Sequence, residues 1–395
     1  ARSKGSQHMR RIFKFALRAV LVLAVLAIAI GIWKREELTR LMAVNSLFSE
    51  GKIITNFSGM NKAFLSVDVP RGDGPVSELA KGPEATLPPE VAQWVKDRTV
   101  TALVVLKDGA LVHESYYQGT SEDDLRISWS VAKSYLSALF GVLLAEGAID
   151  SIDDPVTKYA TSLKGRAYDG ASIRNVLNMA SGVTFDEDYL DKNSDINKMG
   201  RVLALGGSMD GFAADLKDTF AEPGTDWQYV SIDTHVIAMV IRGATGREIA
   251  PLLSEKIIQP MGLEASPYYL TDGNGVAFVL GGLNIRTRDY ARMGQMFLQG
   301  GMYNGKQIVP ADWVAASTVP SAPTSAGEYG YGYQWWMPRD ARDGEFLARG
   351  VYGQYIYINR PLGVVIATNA ADRKFREGGV GDQNIAIFRA IAEGI

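Results

Sequence analysis

The sequence predicts an α/β protein in which one sheet is assembled from both ends of the chain and a mostly helical lobe is inserted between them. Three observations carry this prediction. Two short strands open the body, Ala102–Leu106 and Leu111–Tyr117, joined by the tight turn Lys107-Asp108-Gly109. Strand-like runs return near the end, over Tyr329–Trp336, Phe346–Ile358 and Gly363–Asn369, with Asn359-Arg360-Pro361 as a turn. The segments between them show helical spacing, most clearly in the apolar run Leu136–Leu144.

Taken in order, residues 1–8 read as an expression-tag scar and Met9 as the native start. Arg10, Arg11, Lys14 and Arg18 precede an uncharged run from Ala19 to Trp33. That run is about 15 residues, short of the roughly 20 needed to span a bilayer. Counted from Ile12 it is about 22 residues, or about 33 Å at the helical rise, with Lys14 and Arg18 snorkelling to the headgroups. Residues 9–34 are therefore expected to be an uncleaved, single-pass membrane anchor. A cleaved signal peptide is the alternative, although no small-x-small site precedes Lys34. The basic flank places the N-terminus in the cytoplasm and the body in the periplasm or outside the cell, and Trp33 suits the interface. Residues 35–55 follow as an amphipathic linker helix. It either lies along the membrane or packs on the body.

The body is expected over 56–395, with the helical lobe at about 150–285. It begins with a mixed segment containing the loop Pro70–Pro75, then a short helix over Pro89–Thr99. Beyond the apolar run come a short helix over Ser172–Met179 and a polar, glycine-dotted stretch from Asp186 to Asp218 that reads as loops over a cleft. Longer helices follow over Asp233–Gly243 and Thr287–Leu298, and Ile385–Ala392 closes the chain.

Composition narrows the function. A net charge of −3 offers no basic face for nucleic acid. The absence of cysteine excludes disulfides, thiol catalysis and cysteine-type zinc sites. His113 alternates with apolar strand residues and His235 sits in an apolar helical stretch, so both read as structural. With His8 in the scar and no Gly-x-Ser-x-Gly, neither a Ser-His-Asp enzyme nor a histidine-rich metal site is supported. The glycine pairs are too sparse for a phosphate loop, and no cofactor is expected.

The chemistry concentrates in Ser130-Val-Ala-Lys133. Three residues apart on a helix, the hydroxyl and the amine share a face, with the hydroxyl at the positive end of the helix dipole. A serine hydroxyl needs a base to become a nucleophile, and a lysine serves once burial lowers its pKa. The bland alternative is a helix-start serine with a surface lysine. A second copy of the spacing, Ser49–Lys52, holds Gly51 and does not read as a helix.

Three further blocks follow: Tyr229-Val-Ser231, Gly281–Gly294 and Val351-Tyr-Gly-Gln354. In this order and spacing, and together with Ile173–Gly182, Phe185–Tyr189 and Tyr329–Trp336, the chain resembles the serine hydrolases of the β-lactamase and penicillin-binding-protein superfamily. It is most similar to family VIII carboxylesterases and 6-aminohexanoate-dimer (nylon oligomer) hydrolases. The resemblance implies a β-lactamase/transpeptidase-like fold with an antiparallel sheet. It also implies Ser130 as acylated nucleophile, Lys133 as general base and Tyr229 as proton relay to the leaving group. Ser231 would bond near Lys133. On the strand bearing Gly353, the amide of Gln354 would join that of Ser130 in binding the oxyanion, with Tyr352 beside it. Tyr189 falls where the nylon-hydrolase branch has a substrate-contacting tyrosine. Core packing for Tyr229 and helix capping for Ser231 are the structural alternatives.

One departure bears on the substrate. Penicillin-recognising members carry lysine or histidine where Val351 stands, so a cation for a substrate carboxylate is missing there. The expected function is a membrane-anchored serine hydrolase cleaving carboxylic esters, with amides as an extension and lipid-like acyl groups favoured by the anchor. A D-amino-acid or cell-wall peptidase or amidase, and a non-catalytic sensor with the penicillin-binding fold, are the rivals. The bilayer and a small ester or amide are the expected partners. Ala24, Ala27 and Gly31 permit a homo-oligomer through the anchor.

Overall fold

The strands near both ends alternate in which side chain they send to which face, and that alternation builds the sheet. The computed structural model describes residues 2–395, with side chains from His8 onward, so most of the expected tag scar lies outside the described side chains. Seven strands are used: β1 (Val100–Lys107), β2 (Ala110–Tyr116), β3 (Gly330–Gly332), β4 (Trp335–Met337), β5 (Glu345–Gly350), β6 (Gln354–Asn359) and β7 (Val364–Ala370). They form one antiparallel sheet in the order β2-β1-β7-β6-β5-β4-β3. The last strand thus pairs with the first, Val365 opposite Leu106 and Thr368 opposite Leu103.

Both faces of this sheet are covered, which is why its central strands read as unbroken apolar runs rather than as polar–apolar alternation. Leu103, Val105, Leu347, Tyr357 and Ile366 face the outer helices α3 (Glu90–Asp97) and α8 (Val380–Gly394). Val104, Leu106, Ile356, Ile358 and Val365 face the main core. That core is organised around α4 (Ala132–Ala145), whose residues from Ala132 to Leu143 are all buried. The lobe beyond it contains α5 (Asp195–Ala204) and α6 (Ser231–Thr245). A small sheet with strands Ser66–Asp68, Tyr268–Leu270, Leu283–Ile285 and Arg126–Ile127 lies next to it, and α7 (Thr287–Leu298) packs back on the main sheet.

Two helices precede the body. α1 (Arg2–Trp33) contains the segment His8–Trp33, which is long and apolar enough to cross a membrane. After Lys34, α2 (Arg35–Ser46) packs on the body: Arg40 Nε donates to the carbonyl of Ala204 at 2.7 Å, tying α2 to the end of α5. Leu38 and Met42 remain exposed on its other side.

Candidate active site

Ser130 sits in a single 3-10 turn, Trp129–Val131, that feeds directly into α4. Trp129 holds a left-handed φ of +42°, a strained conformation for a bulky residue, immediately before the serine. One turn further, Lys133 is 1% exposed. Its Nζ donates to Ser130 Oγ at 2.9 Å and to the Leu280 carbonyl at 2.7 Å. Burial brings the Lys133 amine down to about 7, against the opposing pull of Glu187 and Asp233. At neutral pH a large share of it is uncharged, and an uncharged amine at this distance can take the serine proton.

Tyr229 stands over the pair. Lys133 Nζ lies 5.3 Å from its ring centroid. Burial, helped by Glu187, pushes the phenol above its usual value, so it stays a proton donor across the neutral range. Trp336 fixes the ring by stacking at 5.3 Å. The N–H and hydroxyl of Ser231, at the start of α6, both donate to Glu187, a charge that acts on Lys133. Tyr189 joins the same carboxylate, donating at 2.7 Å. Glu187 is thus the hub of the lobe side of the site, and sequence reading passed over it within Phe185–Tyr189.

The third block requires a correction. Val351, Tyr352 and Gly353 do not lie on a strand; they are the turn between β5 and β6, with Tyr352 at φ +62° and Gly353 at φ +89°. Gly350 and Gln354 are ladder partners. The Arg360 N–H donates to Gly344, and by antiparallel alternation this makes Gly350–Gln354 a hydrogen-bonded pair. The Gln354 N–H is therefore spent on Gly350. Its side chain turns inward to the carbonyls of Ala370 at 2.8 Å and Val351 at 3.2 Å. Gly353 faces Ala370, with room for no Cβ. Neither residue lines the cleft. Instead Gly350 abuts the serine: a Cβ there would lie 3.1 Å from Ser130 N. Val351, next along, lines the cleft with Ser130. Among the described residues the N–H groups of Ser130 and Val351 have no protein acceptor.

Two cavities meet at Ser130. The larger, about 400 Å³, is lined by Tyr229, Tyr329, Trp336 and Arg349. Arg349 is two residues before Val351 on the same strand edge. It stacks over Tyr329 and Trp336 and forms no ion pair among the described residues. The cleft therefore does hold a cation, supplied two residues earlier than the position where one was sought. The smaller cavity, about 120 Å³, runs the other way under α2 and takes Tyr352 and Tyr189 into its lining. His113 pairs with Glu84 and the buried His235 with Asp210, both away from the serine.

Residues 91–386 of the chain match the Beta-lactamase family. The chain belongs to that family. Within the β-lactamase and penicillin-binding-protein-like serine hydrolase superfamily, it is 31% identical over 289 residues to 6-aminohexanoate-dimer hydrolase of Paenarthrobacter ureafaciens, covering 70% of this chain and 73% of that one. A solved Bacillus anthracis protein named for 6-aminohexanoate-dimer hydrolysis superposes with a TM-score of 0.80 at 24% identity, over 88% of this chain and 95% of its own. The hydrolase EstCE1, described as having promiscuous acyltransferase activity, superposes with a TM-score of 0.57 at 16% identity, over 76% and 96%. The β-lactamase fold expected from the motifs is thus the fold of this protein, and the protein is a hydrolase of that fold.

Proposed function

We propose that the protein is a membrane-anchored serine hydrolase that cleaves carboxylic esters, and amides more slowly, through an acyl-enzyme on Ser130. The observation that carries this reading is the 2.9 Å contact between Ser130 Oγ and a buried lysine whose amine titrates near 7. Lys133 takes the serine proton as Oγ attacks the carbonyl carbon. The oxygen that gains the electron pair is held by the N–H groups of Ser130 and Val351. Tyr229 passes the proton to the leaving oxygen or nitrogen as that bond breaks. Water then attacks the acyl-enzyme by the same route and frees Ser130. The apolar α1 supports the anchor, with the body on the side opposite the basic N-terminus.

The unpaired Arg349 favours a second reading: amides or peptides whose leaving group carries a carboxylate, including D-amino-acid peptides. An activated ester, a fluorophosphonate probe and a D-aminoacyl peptide, each tested on native and Ser130→Ala protein, decide among these. Labelling and turnover that vanish with Ser130→Ala support the mechanism. Turnover retained in purified Ser130→Ala protein refutes it. Preference for the free-carboxylate peptide over its amide selects the second reading.

A further inference from the structure

The smaller cavity has a wall that does not come from the catalytic body. Val44, Leu47 and Phe48, spaced i, i+3, i+4 on one face of α2 and its end, form one side of it. Met199 and Leu203 of α5 form another. Phe48 closes onto the site, stacked on Tyr352 at 4.8 Å and 11°. No charged side chain lines this cavity, whereas Arg339, Arg349, Arg376, Glu377 and Asp382 line the larger one. Ser130 and Val351 line both, but Tyr229 lines only the larger. A group that protonates the leaving atom must sit on the leaving-group side. The larger, charged cleft is therefore the leaving-group side, and the apolar cavity receives what stays on the serine.

We infer that α2, the helix directly following the apolar α1, is the wall of an acyl-chain chamber, and that its Val44 and Leu47 set the length of acyl tail the enzyme accepts. The inference rests on the serine-hydrolase reading above and names the substrate class of the same site: esters of unbranched, uncharged alkanoic acids. An apolar cavity of roughly 150 Å³ accommodates benzene, six carbons. At about 120 Å³ this chamber takes a tail of about four to six carbons. A tail ending in an ammonium would leave that charge buried without a carboxylate among the lining residues, so plain alkanoyl groups are preferred over ω-aminoalkanoyl groups.

The test is a p-nitrophenyl ester series from acetate to decanoate, with a 6-aminohexanoyl ester added, on the full chain in detergent. Native kcat/KM is expected to rise about two- to fourfold per added methylene up to hexanoate, to fall by decanoate, and to be at least tenfold lower for 6-aminohexanoate than for hexanoate. Val44→Phe fills the chamber and should lower the hexanoate-to-acetate ratio about tenfold. Leu47→Ala enlarges it and should move the maximum towards octanoate. These opposite displacements are not what general loosening of the fold produces. Acetate turnover with a ratio that neither substitution moves, or a steady fall from acetate onward, overturns the chamber and leaves the hydrolase standing. Failure to turn over any ester, with no Ser130 labelling by a fluorophosphonate, overturns the hydrolase reading and the chamber with it.

Discussion

Lys133 Nζ is held between two oxygens, Ser130 Oγ at 2.9 Å and the Leu280 carbonyl at 2.7 Å, at a depth where water does not reach it. The carbonyl orients the amine without charging it, and burial sets its titration near 7. Activity should follow the neutral amine. We expect kcat/KM for an activated ester to rise with pH through one ionisation near 7. No falling limb should arise from Tyr229 below pH 10, because its phenol is pushed further up. Lys133→Ala should lower kcat by at least about 10³-fold, in the upper range for loss of a general base, with the circular dichroism spectrum unchanged. A flat profile from pH 5 to 9 would remove Lys133 from the role of base.

Glu187 is the charge that most resists the drop in the Lys133 pKa. Replacing it with glutamine removes that pull and keeps one oxygen for the Ser231 and Tyr189 hydroxyls, at the loss of the acceptor for the Ser231 N–H. The rising limb should therefore move to lower pH, so that the variant retains a larger fraction of its maximal activity at pH 6 than the native enzyme does. The pH–rate profile of Glu187→Gln reads this directly. A limb displaced upward would contradict the electrostatic account.

Much of this architecture was legible before the structure. The helix expected over Thr287–Leu298 has those bounds, because its apolar residues recur at helical spacing and Gly300-Gly301 ends it. The spacing of Ser130 and Lys133 put them on one helix face, and the further blocks of the resemblance favoured a working pair over a helix-start serine with a surface lysine. The turn at Val351–Gly353 was not legible. The turn after Gly350 carries Tyr352 in a left-handed conformation without an Asn-Gly or Pro signature, so the segment read as continuous strand. Arg349 left a usable signal: a lone cation in the otherwise apolar run Phe346-Leu-Ala-Arg349 needs a reason to be there. Glu187 and Val44 left none, since their roles come from contacts with residues distant in sequence.

Gly350 is glycine for a steric reason. Its backbone φ is ordinary, but a Cβ would stand 2.6 Å from the Ser128 carbonyl and 3.1 Å from Ser130 N. Gly350→Ala should push the β5 edge away from the serine turn and pull Val351 out of register with Ser130. The expected loss is about 10²–10³ in kcat, the size seen when one oxyanion donor is removed, with KM less affected. A variant with native kcat would show that the Val351 N–H does not contribute.

Asp233 is buried at the start of α6, where Tyr168 donates to its Oδ1 at 2.6 Å and Ser181 at 2.9 Å, while Oδ2 has no partner among the described residues. Burial pushes its carboxyl up to about 8. The folded state therefore holds a proton that the unfolded chain, near 3.8, has released between those values. Through this group, stability falls as pH rises from about 4 to about 8. Asparagine keeps the oxygen that accepts both hydroxyls and has no charge to bury. Asp233→Asn should match the native protein in Tm at pH 4 and exceed it by a few degrees at pH 8, with the gap widening steadily between. Because Asp233 is itself mostly protonated where Lys133 titrates, the same substitution should leave the pH–rate limb nearly in place, unlike Glu187→Gln. Thermal melts at several pH values decide it. A variant less stable than native at pH 8 would mean that the ionised carboxylate is stabilised in place.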